Sequence, residues 1–498
     1  MFNDGITLWL MSLYQSSTSP RAGLIGLPAA ILCMSLTVSC AHARETSTPA
    51  TPAAAPAAVN QQASPAARSI PQTDLPIMKL DDVRIGMKGY GLSVFNGTKI
   101  ETFDVEVISV QRDFAPNRGV VWVRCTDERM QKSGPVHGMS GSPIFLWPLG
   151  EQHQAGQGGS LIGAFAFGYQ MVTECYVGIQ PIEYMLETAG RIGAEPDAAA
   201  GNSSASASTA TPGQPELASR MIQTLLASAK QLGTSPRLTW QASMLAQAID
   251  PLTKKQSTRI DDTSPDSDLP PAPAELLSRG QGQMTRLMVP LSVSSPAAAQ
   301  LMTSILEPFG LRPLAAAGSV IGSRPPVEVD PDSVELAPGS VLAVPLAWGD
   351  ADLSASGTVT ALTTDGQVMG FGHAMFGDGK TSLPMATGYV HMVMPTLVSS
   401  FKLGGSLQLK GTLLRDEQAA VVGADGKGYK TSPVNVRVNM PGHDQRDYKY
   451  QVTHHRELTP VLSAIVAMQS VSAYQNPPTL NTLHVQGTLR FNDQQKIN

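Results

Sequence analysis

Apolar and polar side chains alternate over residues 102–107, with Phe103, Val105 and Val107 on one face and Thr102, Asp104 and Glu106 on the other. A period of two predicts a half-buried strand. Gly89–Phe95 reads as the strand before it, and Asn96-Gly97 is a tight-hairpin dipeptide. Further apolar runs predict strands at Val120–Cys125, Ile144–Trp147, Leu161–Phe167 and Tyr176–Ile179, followed by a helical start at Pro181–Leu186. About six strands within roughly a hundred residues make a small barrel or sandwich.

Leu217, Met221, Ile222, Leu225 and Leu226 then recur at helical spacing, which predicts a helix over 215–232 with Gly233 as its C-cap. A second β-rich block starts near Leu287 and contains Ser340–Trp348, Gly357–Leu362, Val368–Phe371 and Ser406–Leu414. Val434–Val438 and Leu483–Phe491 are strand-like. Thr459–Ser472 between them reads as a helix with Thr459 as N-cap and Pro460 at its first position. The domain boundaries that follow are an export signal at 1–43, a tether at 44–75, a serine-bearing β domain at 76–190 and a linker with one helix at 191–285. A histidine-bearing β domain at 286–430 and a β-rich extension at 431–498 complete them.

Composition narrows the classes of function. With 42% hydrophobic residues the 498-residue chain can build real cores, while 45 Gly and 38 Pro favour turn-rich β structure. A net charge of −5 supplies no basic field for nucleic acid. Arg21 precedes an apolar run, Ala22–Val38, that reads as an export signal. Ala41-His42-Ala43 suits ordinary cleavage, whereas Leu36-Thr-Val-Ser-Cys40 suits a lipoprotein signal in which Cys40 carries lipid and tethers the chain to a membrane. Either route leads to the cell envelope or periplasm. Cys33 and Cys40 belong to this region. Cys125 and Cys175 read either as a disulfide between neighbouring strands or as two buried core residues.

Candidate chemistry concentrates in His137-Gly-Met-Ser-Gly-Ser-Pro-Ile144. The glycines let the backbone turn so tightly that the amides of Gly138 and Ser140 can point at one spot, which reads either as an oxyanion hole beside a nucleophilic Ser140 or as an ordinary Gly/Ser/Pro turn. Ser142 reads as a small turn residue, and Met139 has no chemical duty. His137 leads into the turn and should point away from it. A second signal is Gly370-Phe-Gly-His373, a histidine poised on a turn. His391 reads as a structural or surface residue, as does the pair His454-His455, which has no Cys or carboxylate at convincing metal-ligand spacing, and no cofactor or metal is implied.

Taken in order, several segments resemble the sporulation stage IV B serine peptidases, a trypsin-like group. They are Lys99-Ile-Glu-Thr-Phe-Asp-Val-Glu-Val107, Thr126-Asp127, Gly138-Met-Ser-Gly-Ser-Pro-Ile144, Leu161-Ile-Gly-Ala164 and Gly178-Ile-Gln-Pro-Ile-Glu-Tyr-Met-Leu186. The resemblance implies Ser140 as nucleophile and Asp127 as acid. Gly357-Thr-Val-Thr360 followed by Gly370-Phe-Gly-His373 is similar to the family's histidine segment and implies His373 as general base. Asp127 has a second reading as a turn-capping carboxylate, and Asp378 is the reserve acid.

The implied fold is mainly β: two trypsin-like barrel halves, a helical linker insertion and a small C-terminal α+β tail. Here the histidine segment follows the serine segment, so the resemblance implies a permuted order, and no PDZ-like module is visible. The function implied is an exported serine endopeptidase acting on protein or peptide substrates. The alternative is an inactive envelope scaffold of the same fold.

Overall fold

The computed structural model describes residues 6–11, 70–169, 172–192, most of 285–315 and 329–473, and the short strands at 485–490 and 496–497. Residues 12–43 of the expected export signal, Cys40, most of the 44–75 tether and the helix expected over 215–232 lie outside the described residues.

The first block contains β1 (Lys88–Val94), β2 (Ile100–Ala115), β3 (Arg118–Cys125), α1 (Glu128–Ser133) and β4 (Val136–His137). It continues through β5 (Pro143–Leu146), β6 (Ser160–Gly168), β7 (Tyr176–Pro181) and α2 (Ile182–Ala189). The ladders run β1-β2-β3-β7-β6-β5, and β5 pairs back to β1, so the sheet closes into a barrel with every neighbour antiparallel. The alternation seen in the sequence is what closure needs: Phe103, Val105 and Val107 point inward and are buried with Val121, Val123, Phe165 and Val177. The Asn96-Gly97 hairpin joins β1 to β2, with Gly97 at φ +65°.

After Thr285–Arg286 (β8), which pairs with β6, the chain crosses to the second block. Val289–Val293 (β9) and Leu311–Ala315 (β10) flank it. Its barrel strands are β11 (Val341–Gly349), β12 (Leu353–Leu362), β13 (Val368–Gly370), β14 (Gly379–Met394), β15 (Ser400–Glu417) and β16 (Ala420–Asp425). They pair in the order β11-β12-β13-β16-β15-β14, and β14 closes on β11, again wholly antiparallel. Numbering barrel strands one to six, both blocks therefore share the circular order 1-2-3-6-5-4.

Strand-forming segments that went unread in the sequence include β10, β14, β16, and Arg446–Thr453 (β18), which pairs with Thr431–Val438 (β17). β14 carries Gly379, Pro384 and Gly388, residues that ordinarily interrupt strands, and the pairing with β15 is correspondingly shifted in register at four places. In β18, Arg446, Asp447 and Lys449 are exposed and Tyr448 and Gln451 half-buried, so no apolar run marks it. Leu458–Ser472 (α3) buries Leu462, Ile465 and Val466 against Val434 and Tyr450, forming the expected α+β tail.

The barrels share an apolar interface. Tyr90, Phe145, Leu161, Ile182, Met185 and Leu186 of the first are buried in one cluster with Ala361, Met369, Ala420 and Val422 of the second.

Candidate active site

Ser140 lies in the connection between the third and fourth strands of the first barrel, and His373 in the same connection of the second. The barrels bring them together: Ser140 Oγ and His373 Nε2 are 2.9 Å apart although 233 positions separate them in sequence. Both are buried, with Ser140 0% and His373 2% exposed.

The serine turn is held by the opposite barrel. Thr358 N donates to the Ser140 carbonyl at 2.8 Å, and Thr358 Oγ1 to the Gly138 carbonyl at 3.1 Å. Thr360 Oγ1 donates to the Gly141 carbonyl at 2.7 Å. Gly138 and Gly141 take φ +93° and +97°, open to glycine and strained for other residues. A side chain on Gly141 would strike the Thr358 carbonyl and reach within 2.5 Å of Phe371 N. Met139 N donates to Val136 O and Ser142 N to Met139 O, which fixes the turn from within. Among the described residues, the amides of Gly138 and Ser140 are bonded to no acceptor.

His373 follows Phe371 and Gly372, both in the left-handed region at φ +65° and +68°. For Phe371 that conformation costs about 1 kcal/mol, and its buried ring lies over Gly357, where a Cβ would collide with it. His373 Nδ1 is 2.8 Å from the Ala374 carbonyl. A carbonyl only accepts, so Nδ1 carries the proton and Nε2 presents a lone pair to Ser140. Burial pulls the imidazole down to about 4, against the upward pull of the Ala374 carbonyl and with a further downward push from Arg286. The ring is neutral at neutral pH. Arg286 Nη1 also donates to the Ala374 carbonyl, at 3.1 Å.

Asp416, at the end of β15, was not singled out in the sequence. Its carboxylate is fully buried and accepts from Met375 N at 2.7 Å, Phe376 N at 2.6 Å and Gly377 N at 2.9 Å. Burial raises its pKa while these three amides pull it back. The carboxylate thus gathers the loop that carries His373.

Other sequence candidates sit elsewhere. Asp127 is the N-cap of α1: Oδ1 accepts from Arg129 N at 2.9 Å, and the carboxylate pairs with the Arg129 guanidinium at 3.1 Å. Burial works to raise the Asp127 pKa, but the bonds from Arg129 hold it below the ordinary carboxylate range. The nitrogen of His373 that an acid would meet faces Ala374 instead. Asp378 bonds His455 Nε2 at 2.9 Å. His137 Nδ1 is 3.1 Å from the Met288 carbonyl, and burial pulls its pKa to about 4. Ser142 Oγ donates to Ser93 Oγ at 2.9 Å.

Cys125 and Cys175 are free, buried thiols rather than a disulfide. They are neighbours across the β3 end, where Cys125 N donates to the Cys175 carbonyl at 2.9 Å. A hydrogen bond with Cys175, together with burial, pushes the Cys125 thiol well above its ordinary range. Among the described residues no cluster of three or more His, Cys, Asp or Glu side chains is placed to hold a metal ion.

Two closed antiparallel barrels with one strand order, meeting over a serine bonded to a neutral imidazole, are the architecture of a double-barrel serine hydrolase. Residues 58–165 match the family model described as SpoIVB peptidase S55. The serine-bearing part of the chain is therefore similar to this serine peptidase family, and the match supports hydrolase activity of that class. The match includes Ser140 and ends before His373. No curated protein and no solved structure matches the chain.

Proposed function

We propose that the chain is an exported serine endopeptidase in which Ser140 is the nucleophile and His373 the general base. The observation that carries this reading is the 2.9 Å contact between Ser140 Oγ and His373 Nε2, with Nδ1 tied to the Ala374 carbonyl. Serine is a weak nucleophile at its own pKa and needs a base within hydrogen-bond reach. His373 takes the proton as Oγ attacks the peptide carbonyl, then gives it to the departing amine. The developing oxyanion is received by the Gly138 and Ser140 amides, and water attacks the resulting acyl-enzyme in a second, equivalent round.

In this reading the tautomer is set by a main-chain carbonyl, with Arg286 and Asp416 holding that carbonyl and its loop. Asp127 would have to leave Arg129 and the α1 amides to serve His373. The Ser-then-His order amounts to a permutation of the family's arrangement, which the shared strand order of the barrels makes physically simple. With Ser140 fully buried, a peptide bond reaches Oγ only after neighbouring groups part. Arg21, the apolar run to Val38 and Cys40 support export and a lipid tether.

The test is labelling of the full chain with a serine-directed fluorophosphonate. A covalent adduct on Ser140, absent in Ser140→Ala, supports the proposal. Unimpaired peptide hydrolysis by Ser140→Ala overturns it.

A further inference from the structure

One buried ionisable group has no part in the chemistry above. Lys402, on β15 of the histidine barrel, is 3% exposed, and its Nζ donates to Ser93 Oγ on β1 of the serine barrel at 2.8 Å. The lysine therefore spans the two barrels. Its stem runs against the serine turn: a Cβ on Gly138 would lie 3.2 Å from Lys402 Cβ and 3.3 Å from its Cδ. Ser142 Oγ lies 2.9 Å from Ser93 Oγ and 3.5 Å from Thr358 Oγ1, its single proton shared between these two neighbours. Thr358 Oγ1 ends the series on the Gly138 carbonyl at 3.1 Å. Nitrogen and three hydroxyls thus run from one side of Gly138 to the other, all buried.

Resting on the reading of Ser140 as nucleophile, we infer that Lys402 is a positioning residue for the oxyanion hole. Acting through Ser93, Ser142 and Thr358, it fixes the Gly138–Met139 peptide, which lies between the two amides, so that the Gly138 and Ser140 N–H groups stay aimed at one point. A lysine is not needed there for stability. No carboxylate bonds Nζ among the described residues, and burying an ammonium without a counter-charge opposes folding. Burial alone pulls this ammonium down to about 7. An apolar residue of similar length fills the same space without that cost, so the retained amine points to what it holds.

The experiment compares wild type, Lys402→Met, Ser93→Ala, the Lys402→Met/Ser93→Ala double variant and Ser140→Ala as full chains by fluorophosphonate labelling, separating the saturating rate from the concentration at half-saturation. Thermal melting is followed in parallel. The reagent's phosphonyl oxygen occupies the place of an oxyanion, so its bonding rate reports the hole. Lys402→Met should label about tenfold more slowly at saturation, less than the loss of a whole oxyanion donor. Its half-saturation should be unchanged and its melting temperature no lower than wild type. Ser93→Ala, which keeps the lysine stem, should show the same rate defect, and the double variant should be no slower than either single one.

A Lys402→Met chain that labels within twofold of wild type overturns the inference, as does a defect that only tracks a fall in melting temperature. Should Lys402→Met fail to fold, Ser93→Ala decides by the same criteria. If wild type itself takes no label on Ser140, the nucleophile reading has failed, and the inference falls with it. Normal labelling in both wild type and Lys402→Met removes the inference alone.

Discussion

The two barrels share a strand order and place their reactive residue in the same connection, yet they secure that connection in opposite ways. The histidine loop is held chiefly from within its own barrel, by the three amides that converge on Asp416, with Arg286 reaching the Ala374 carbonyl from the crossing segment. The serine turn, besides bonds within its own barrel, is held from outside by Thr358 and Thr360 of the other. The histidine loop thus draws most of its support from its own barrel, whereas the serine turn borrows part of its support from the other. A shared topology repeats the position of a site residue; the support around it is set by local side chains.

The largest expected effect tests whether the two loops work as one unit. Ser140→Ala and His373→Ala should each lower peptide hydrolysis by about 10⁴-fold or more, and the double variant should be no worse than either single one. Additive losses in steady-state rates would separate the two halves. Next comes the borrowed clamp. Gly141→Ala puts a methyl group into Thr358 at φ +97° and should cost about 4 kcal/mol, read by denaturant unfolding, with the melting of both barrels affected.

The internal support is tested by Asp416→Asn, which keeps one accepting oxygen and turns an amide donor towards the remaining N–H groups. A loss of about 3 kcal/mol is expected, with a fall in turnover as the histidine loop loosens. If turnover holds while stability falls, the loop is not secured as described.

A pH profile refines the picture on the histidine side. His373 is neutral above about pH 4, so the acid limb of kcat/KM should lie near pH 4 rather than near 6.5. Its folded pKa is below the unfolded value of about 6.5, as is that of His137, so both take up protons on unfolding. Their contribution to stability is complete above pH 6.5 and is lost as pH falls through about 4, which melting curves across that window would record. The smallest effect belongs to Asp127→Ala. Losing an N-cap and an ion pair with Arg129 should cost about 1 kcal/mol and leave turnover within twofold. A collapse of turnover would instead bring Asp127 into the catalytic group.

Much of this was legible in the sequence because it is local. The alternation around Phe103 sets β2, Asn96-Gly97 sets its hairpin, and the glycines flanking Met139-Ser140 and His373 mark turns that only a few backbone shapes can serve. What escaped is non-local. Asp416 reads as one acid in a polar strand end until β15 sets it beside Met375–Gly377. Lys402 reads as a surface lysine until docking buries it, and Thr358 and Thr360 carry no sign that their partners lie in the other barrel. The long β14 escaped because its glycines and proline interrupt the apolar pattern that would announce a strand.

The threonine clamp also imposes an order in time. A chain emerging from its N-terminus first presents Ser140 long before Thr358, Thr360 and His373 exist. Through that interval the serine barrel lacks the imidazole and the Thr358 and Thr360 contacts to its turn. On the proposed reading, a newly made chain therefore cannot hydrolyse peptide until the second barrel closes against the first.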